Sequence, residues 1–370
     1  MSSAKDRNYM SKCLELAERG RGFVEPNPMV GAVIVSDARI VGRGWHQRYG
    51  AAHAEVEAIR NAGERARGGT LYVSLEPCNH FGKTPPCTRA ILEAGIAKVV
   101  IGMPDPNPDV PGGGAEELRR AGLTVVEHVE RVRCEAMNEV WLANVTHARP
   151  FILLKIAQSM DGCIAALKGT SHWMTSPESR SEVHRLRSIY DAVLVGANTV
   201  RKDNPRLTVR EVRGRDPLRI ILTRSWNFQR SATVLTDAHP ERTLLVTSRK
   251  AADTHQAQIE RLRKRGIRVI AVSTDSLEKA SLHAALKLLF EDIGIRSILV
   301  EGGAEVYSSF IAAGLLDRID VFTAPLVLGQ GIGAFSALRP LHLSGAYGFQ
   351  IEHTQVMGDD TYTIYRPRKE

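Results

Sequence analysis

The stretch LYVSLEPCNHFGKTPPCTRAILEAG, residues 71–95, predicts a strand, a loop and a helix in succession. Its first five residues form a β-rich run, and the segment after Cys87 has helical spacing. Cys87 follows two prolines, so its thiol stands at a helix N-terminus, where the helix dipole stabilises a thiolate. The stretch is therefore a strand followed by a helix, with two cysteines at the junction.

The same alternation surrounds this unit on both sides. The predicted elements are a helix over 7–19, a hairpin of strands at 30–36 and 39–45, a helix over 54–62, a strand at 98–102, a helix over 115–121, a strand at 123–126 and a helix over 130–143. Pro150 cannot continue that last helix, so we place a domain boundary between residues 147 and 148. The first domain, 1–147, is predicted to be a sheet with helices on its faces.

Residues 148–370 predict a second α/β domain with its own sheet, as expected for a chain of about twice the usual domain size. The strand-like runs are 152–157, 192–196, 219–223, 243–248, 267–273, 297–303 and 319–329, and helices are predicted at 277–290 and 304–313. The dinucleotide fingerprint GxGxxG is absent, which argues against a Rossmann domain.

Composition excludes several classes of protein. With 43% hydrophobic and 24% charged residues, the chain is neither disordered nor fibrous nor embedded in a membrane. No apolar stretch reaches the roughly 20 residues that span a bilayer, and the opening MSSAKDRNYMSK lacks the apolar core of a signal peptide, so we expect a cytoplasmic protein. Five cysteines, an odd number, disfavour a disulfide framework.

The net charge of +8 is unevenly distributed. Residues 1–147 carry 18 basic and 18 acidic side chains, so the whole surplus lies beyond them. Such a surplus fits a nucleic-acid face, a set of phosphate contacts for small ligands, or a solvated surface. Charge alone favours the solvated surface.

The strongest chemical signal is an ordered set of metal-ligand residues. His53, Cys78 and Cys87 supply the three protein ligands of a catalytic zinc site, which keeps its fourth position for water. Glu55 follows the histidine by two residues, as in zinc deaminases, where this glutamate moves protons and does not bind the metal. A structural zinc site would need a fourth protein ligand, for which His80 is the only nearby candidate.

These motifs resemble those of the bifunctional riboflavin-biosynthesis deaminase/reductases. The matching stretches are PNPMVGAVIV (26–35), HAE (53–55), the expanded PC-x8-C loop (77–87), DPNP (105–108), LKIAQSMDG (154–162), SHWMTSPESR (171–180), VGANTVRKDNPRLTVR (195–210) and VEGGAEVY (300–307). The resemblance implies an α/β protein with an N-terminal cytidine-deaminase-like α/β/α domain and a C-terminal dihydrofolate-reductase-like α/β domain.

The resemblance also implies site residues. Around the pyrimidine and phosphate of the deaminase substrate it places Asn27, His46, His80 and Lys83. Around the nicotinamide cofactor it places Ala157, Trp173, Thr199, Asp203, Gly303, Ala304, Glu305, Val306, Tyr307, Ser308 and Ser309. Around the reductase substrate it places Ser171, Arg187, Leu207, Arg210 and Glu301.

Physical chemistry supports parts of this assignment. Arg187 and Arg210 suit a phosphate, which a guanidinium binds in a bidentate way. Lys155 and Glu301 are predicted as catalytic residues that position and protonate the opened ribose, although an ion pair between them is equally available. At the end of the 219–223 strand, Arg224 and Ser225 are predicted to bind the cofactor 2′-phosphate, which favours NADPH over NADH.

The function inferred is two successive steps of riboflavin biosynthesis: zinc-dependent deamination of a phosphoribosylaminopyrimidine and NADPH-dependent reduction of its ribosyl side chain. The expected partners are small phosphorylated pyrimidines and a second copy of the chain in a homo-oligomer, with neither nucleic acid nor membrane. One rival is a nucleic-acid base deaminase, which predicts a PC-x2-C loop and more aromatic residues than the 6% present. Another is a zinc-stabilised binding module, which would not require Glu55.

Overall fold

The computed structural model describes residues 3–82, 85–107, 113–167, 174–224, 226–227, 229, 231–274, 280–338 and 342–368. The chain divides into two compact units, Met1–Ala148 and Arg149–Glu370. The predictions for Lys83, Ser171, Trp173 and Ser225 lie outside the described residues. Within the described ranges, none of the helices combines the length and apolarity that crossing a membrane requires.

Helices and strands alternate along the first unit. They are α1 (Ala4–Ala17), β1 (Gly31–Ser36), β2 (Arg39–Trp45), α2 (Ala54–Ala62), β3 (Thr70–Leu75), α3 (Cys87–Glu93), β4 (Lys98–Met103), α4 (Gly114–Arg120), β5 (Thr124–Val126), α5 (Arg131–Met137) and α6 (Glu139–His147). Short 3-10 turns follow α1 and α2. A capping box between Ser3 and Asp6 begins α1.

The strands of the first unit form one sheet in the order β2-β1-β3-β4-β5. The predicted hairpin of β1 and β2 is confirmed, and its two turn residues, Asp37 and Ala38, have φ angles of 49° and 59°. Because β3, β4 and β5 run parallel, the segments that follow β3 and β4 leave the sheet at the same edge. The loop that carries Cys78 and the segment that carries Asp105 therefore meet there.

The predicted helix over 130–143 is wrong in one respect, because it is two helices, α5 and α6, that meet at Asn138. The Asn138 side chain accepts a hydrogen bond from the backbone N–H of Met29 at 2.8 Å and donates one to its carbonyl at 3.0 Å. An asparagine that bonds to a distant backbone in this way competes with a continuous helix. The break thus depends on a contact that is remote in sequence.

The second unit also alternates strands and helices. Its elements are β6 (Phe151–Ser159), β7 (Cys163–Ala166), α7 (Pro177–Ile189), β8 (Ala192–Gly196), α8 (Ala197–Asp203), β9 (Leu218–Leu222), α9 (Thr233–Thr236), β10 (Thr243–Ser248), α10 (Arg249–Thr254), α11 (Gln256–Lys264), β11 (Arg268–Val272), α12 (Leu282–Glu291), β12 (Ser297–Val300), α13 (Ala304–Ala312), β13 (Arg318–Ala324), β14 (Gly331–Gly333), β15 (Phe349–Met357) and β16 (Asp360–Pro367). Short 3-10 turns lie at Pro240–Arg242 and Leu343–Gly345.

Nine of these strands form one sheet in the order β11-β10-β9-β8-β12-β6-β13-β16-β15, and β7 pairs with β14. The strands from β11 to β13 run parallel, and β16 and β15 are antiparallel to their neighbours. Alternate residues of the central strands enter different core clusters, for example Leu194 and Val195 of β8. The central strands are therefore buried on both faces, as in doubly covered parallel sheets.

The hairpin of β15 and β16 was not predicted from the sequence. β15 is the last strand at one edge of the sheet, and its seven central residues are all exposed. Among these seven residues only Ile351 and Val356 are apolar, and their spacing of five does not give the sustained alternation from which a strand could be predicted. The predicted strands at 297–303 and 319–329 also end earlier, at Val300 and Ala324.

Candidate functional site

Three sulfur and nitrogen ligands converge in the first unit. His53 is the residue that precedes α2, Cys78 lies in the loop after β3, and Cys87 is the first residue of α3. Nδ1 of His53 is 3.5 Å from Sγ of Cys78 and 3.3 Å from Sγ of Cys87. The backbone N–H of Cys87 donates to Sγ of Cys78 at 3.5 Å, which fixes the loop against the helix.

This donor set fits a zinc ion. All three ligand atoms lie within 4.8 Å of one another, close to the roughly 3.5–3.8 Å that separates ligands bound tetrahedrally to one zinc. Hydrogen bonds from Cys87 and His53 lower the pKa of the Cys78 thiol to about 4, whereas the bond with Cys78 and burial raise the pKa of Cys87, so Cys78 is the thiolate of the pair. His80 does not join the group, and the described part of the chain offers no fourth ligand. Three ligands with an open position are typical of a catalytic zinc site.

Glu55 lies beside the ligands in the first turn of α2 and is 3% exposed. Burial raises the pKa of its carboxyl group, although the charge of His53 opposes that effect. A carboxyl group with a raised pKa can exchange protons near neutral pH. Glu55 is thus placed for proton transfer and is not one of the converging ligands.

His53, Cys78 and Glu55 line a cavity of about 280 Å³. Three of the four substrate residues predicted for this site, Asn27, His46 and His80, line it. Nδ2 of Asn27 is 3.1 Å from Nε2 of His46, whose Nδ1 is 3.1 Å from the carbonyl of Ala52. His46 therefore donates to the backbone and accepts from Asn27, which fixes the orientation of the Asn27 amide.

Several lining residues were not predicted as site residues: Tyr49, Glu76, Asp105, Asn107 and Trp141. The Glu76 carboxylate accepts hydrogen bonds from the backbone N–H groups of Asp105 at 3.3 Å and Ala115 at 3.0 Å. Through these bonds Glu76, in the loop after β3, holds the segment that follows β4 close to that loop. The DPNP motif at 105–108 was the available signal for Asp105 and Asn107, but nothing in the sequence marks Glu76 or Trp141.

A second cavity, of about 1050 Å³, lies in the second unit at the carboxyl ends of β6, β8, β9 and β12. This is where ligands bind in open parallel sheets. Among its lining residues are the following predicted ones: Lys155, Ala157, Arg187, Thr199, Asp203, Leu207, Arg224, Glu301, Gly303, Ala304, Glu305, Val306, Tyr307, Ser308 and Ser309. Arg210 is exposed and is not among them.

An ion-paired centre lies in this cleft. The Glu301 carboxylate accepts two hydrogen bonds from Arg187, at 2.5 and 2.7 Å, and its Oε2 is 3.4 Å from Nζ of Lys155. Burial alone would raise the pKa of Glu301, but Arg187 and Lys155 lower it to about 2. Glu301 is therefore ionised at neutral pH and holds no proton to give. Of the two residues predicted to protonate the ribose, Lys155 is therefore the remaining candidate for the proton donor.

Two glycines shape the cleft between β12 and α13. A Cβ on Gly302 would lie 2.9 Å from the Cα of Val195, so no side chain fits there. Gly303 has a φ of 81°, which an L-residue with a side chain rarely adopts. The glycines let β12 pack closely on β8 and turn the chain into α13, whose first N–H groups lack partners within the helix.

At the end of β9 the chain turns sharply beside the cleft. Arg224 is exposed and lines the cleft, whereas Trp226 is buried with a φ of 54°. The neighbouring strand end, that of β10, also carries hydroxyl groups that could bind a phosphate, but there Thr247 accepts a hydrogen bond from the Trp226 indole and Ser248 caps α10. Arg224 is therefore the better placed cation at this end of the cleft.

Comparisons with known proteins agree with this geometry. Residues 3–103 match the family model of the cytidine and deoxycytidylate deaminase zinc-binding region, and residues 150–362 match that of the RibD C-terminal domain. Riboflavin biosynthesis protein RibD of Aquifex aeolicus is 45% identical over 88% of this chain and 89% of its own length. The corresponding protein of Synechocystis is 40% identical over 96% and 94%.

A solved structure from Thermotoga maritima is described as a diaminohydroxyphosphoribosylaminopyrimidine deaminase/5-amino-6-(5-phosphoribosylamino)uracil reductase. It is 38% identical, has a TM-score of 0.80 and covers 98% of this chain and 99% of its own. These findings confirm the predicted fold class, a cytidine-deaminase-like domain followed by a RibD or dihydrofolate-reductase-like domain. They also confirm a zinc-binding deaminase site at His53, Cys78 and Cys87.

Proposed function

Because the chain belongs to the RibD family, the bifunctional deaminases and reductases of riboflavin biosynthesis, we propose the reactions that each unit carries out. The first unit hydrolyses the 2-amino group of 2,5-diamino-6-(5-phosphoribosylamino)pyrimidin-4-one. The second unit reduces the ribosyl side chain of the resulting uracil to ribityl. The observation that carries this proposal is the convergence of three zinc ligands beside the buried Glu55.

In the first unit, zinc held by His53, Cys78 and Cys87 supplies Lewis-acid activation of water. Glu55 would accept the proton that is released when water adds to the ring carbon and would deliver a proton to the departing ammonia, so that the C–N bond breaks and a C–O bond takes its place. The Asn27 amide, oriented by His46, is available to bind the edge of the pyrimidine. A cavity of about 280 Å³ favours a small molecule over a nucleic-acid strand.

In the second unit, NADPH supplies the hydride that reduces C1′ of the ribose. Glu301 holds Lys155 and Arg187 in place through buried ion pairs. Lys155, which is ion-paired with Glu301, is the side chain available to donate a proton to the ring oxygen as the ribose opens. Arg210 and the basic residues around it would hold the substrate phosphate.

NADPH, and not NADH, is the cofactor that the second cleft favours. Arg224 lines the end of β9, where the 2′-phosphate would lie, and Lys202 lines the same cleft. A 2′-phosphate needs charged donors, which these side chains supply.

The cytoplasmic location and the homo-oligomer that the sequence predicts stay predictions.

The purified protein tests the proposal directly. With the diaminopyrimidine phosphate alone it should release ammonia, and addition of NADPH should then lead to loss of absorbance at the nicotinamide band. Elemental analysis should give one zinc per chain, and His53→Ala should lose it. Protein without zinc, or NADPH oxidation that does not require the deaminated product, would contradict the proposed sequence of steps.

A further inference from the structure

We propose that His184 is a positioning residue of the reductase site. It accepts a hydrogen bond from the backbone of Arg210 and so fixes the segment 207–210, which carries Leu207 and Arg210. This inference rests on the proposed function in one respect, namely that Arg210 contacts the phosphate of the reductase substrate.

The geometry of His184 determines how its ring must be protonated. His184 lies in α7, one turn before Arg187, and is 4% exposed. Its Nδ1 is 3.1 Å from the backbone nitrogen of Arg210, and its Nε2 is 3.7 Å from Oε1 of Glu211. A backbone N–H can only donate, so Nδ1 must be unprotonated and the ring proton lies on Nε2, toward Glu211.

The segment 207–210 is held by a small number of hydrogen bonds. Besides the bond from Arg210 to His184, Nη1 of Arg187 donates to the carbonyl of Thr208 at 3.2 Å. The backbone N–H of Val209 donates to Asp216 at 2.7 Å. Thr208 also accepts a hydrogen bond at Oγ1 from Nη1 of Arg210, at 3.4 Å, and His184 is the side chain that holds the backbone of Arg210 itself.

The backbone at Leu207 makes these anchors necessary. Leu207 is buried and has a φ of 56°, a left-handed conformation that is unfavourable for a residue with a branched side chain. Such a conformation persists only where the surrounding contacts require it. Loss of one anchor is therefore expected to let the segment relax and move Arg210.

The charges nearby fit an anion at this place. Burial, followed by the positive charges of Arg187 and Arg206, lowers the pKa of Arg210, and the carboxylates of Glu211 and Glu301 only oppose that effect in part. A phosphate dianion relieves that repulsion and accepts hydrogen bonds from more than one guanidinium. A small displacement of Arg210 would then weaken substrate binding without changing the chemistry at C1′.

The surroundings of His184 keep it in the accepting form. The charged groups that face it are Arg187 on α7, Arg210 and Glu211 on the loop, and Glu301 after β12. Burial, followed by the charges of Arg187 and Arg210, lowers the pKa of His184 below its usual range. At acid pH a proton on Nδ1 would replace the acceptor with a donor that faces the Arg210 N–H, so the anchor would be lost.

Two substitutions in the full chain separate this role from simple packing. His184→Asn keeps an acceptor close to the position of Nδ1, whereas His184→Leu keeps an apolar side chain of similar volume without one. His184→Leu should raise the KM for 5-amino-6-(5-phosphoribosylamino)uracil about tenfold, the effect of losing one buried hydrogen bond, and leave kcat within about twofold. Its KM for NADPH and its deaminase activity should stay unchanged. His184→Asn should stay close to wild type.

The pH profile supplies a second readout. The substrate KM of the wild type should rise more steeply with acidification than that of His184→Asn, since only the wild type loses its acceptor on protonation. Titration of the substrate phosphate affects both proteins equally and cancels in their ratio.

The outcomes that overturn the inference are specific. Equal KM values for both variants and wild type would show that the bond does not position Arg210. A raised substrate KM in both variants, accompanied by a lower kcat or by a higher KM for NADPH, would show that His184 only fills the core. If Arg210→Ala raises the substrate KM while His184→Leu does not, the inference fails and the proposed phosphate contact stands. If Arg210→Ala has no effect while His184→Leu raises the KM, the phosphate contact fails and the positioning role stands.

Discussion

The metal centre of the first unit and the cofactor cleft of the second unit are built in different ways. The metal centre gathers three ligand side chains within 4.8 Å of one another, in a cavity of about 280 Å³. The cofactor cleft is almost four times larger and is lined in large part by strand ends, glycines and the first turn of α13. The first site is defined by side-chain chemistry and the second mainly by backbone geometry.

This difference determines how each site tolerates change. In the metal centre each of the three ligands contributes one donor atom, so the loss of any one side chain removes a metal ligand. In the cleft the cofactor contacts proposed for the glycine turn and the helix N-terminus would be made by backbone groups, which most side-chain substitutions leave in place. The ion-paired centre around Glu301 is an exception, because its charges are buried.

The largest effect is expected for Glu55→Gln. Glutamine has nearly the same volume as glutamate, but its amide cannot accept and return a proton. The deaminase kcat should therefore fall by about 100- to 10,000-fold while the zinc content stays at one per chain. Glu57→Gln, in the same turn of α2, is the matched control and should keep activity. Loss of zinc in Glu55→Gln, or parallel loss of reductase activity, would show that Glu55 has a structural role instead.

The next largest effect is expected for Glu301→Gln, which leaves Arg187 and Lys155 buried without their acidic partner. The free energy of unfolding of the second unit should fall by about 3–5 kcal/mol, and reductase activity should be lost with it. Glu291→Gln breaks an exposed ion pair with Lys287 and should change stability by less than about 1 kcal/mol. Chemical denaturation of both variants measures the difference.

The same centre has a defined pH dependence. The pKa of Glu301 is about 2 in the folded protein and near 4.5 when unfolded, so the unfolded state takes up the proton first on acidification. Its contribution to stability is therefore complete above about pH 4.5 and is lost as the pH falls toward about 2. Glu301→Gln should lack this component, and identical acid unfolding of variant and wild type would contradict the ion-paired assignment.

A smaller and more selective effect is expected for Arg224→Ala. Loss of a charged hydrogen bond to the 2′-phosphate should raise the KM for NADPH about tenfold and leave that for NADH nearly unchanged. Arg249→Ala, at the end of β10 and outside the cleft lining, should leave the preference between the cofactors intact. An unchanged NADPH/NADH ratio in Arg224→Ala, with a changed one in Arg249→Ala, would move the phosphate site to β10.

The smallest effect is expected from removal of the first unit. A fragment of residues 149–370 contains the whole nine-stranded sheet and its core, so it should fold and keep reductase activity on the deaminated substrate. Gel filtration and the NADPH assay report the outcome. An insoluble fragment from a chain that is otherwise well behaved would show that the two units depend on each other for folding.

Sequence reasoning worked where a residue type and its spacing carry the chemistry. His53, Cys78 and Cys87 could be chosen because few residue types bind zinc, and the strand and helix flanking the two cysteines were predicted from periodicity. Trp141 and Glu76 could not be chosen, because a tryptophan in a helix and a glutamate after a strand are ordinary in any protein. Their roles depend on which segments pack together.

The sequence by itself determined the α/β class, the ligand set of the metal centre and the position of Glu55 beside it. Residue types and local periodicity are enough for these, since both act over a few neighbouring residues. Only the tertiary structure decided that Asn138 divides a helix by bonding to Met29, that β15 forms an exposed edge, and that Glu301 is ionised between Arg187 and Lys155. The contacts of Asn138 and Glu301 depend on partners more than 100 residues away in the chain, and the exposure of β15 depends on its position at the edge of the sheet. Local sequence carries no record of such long-range relations.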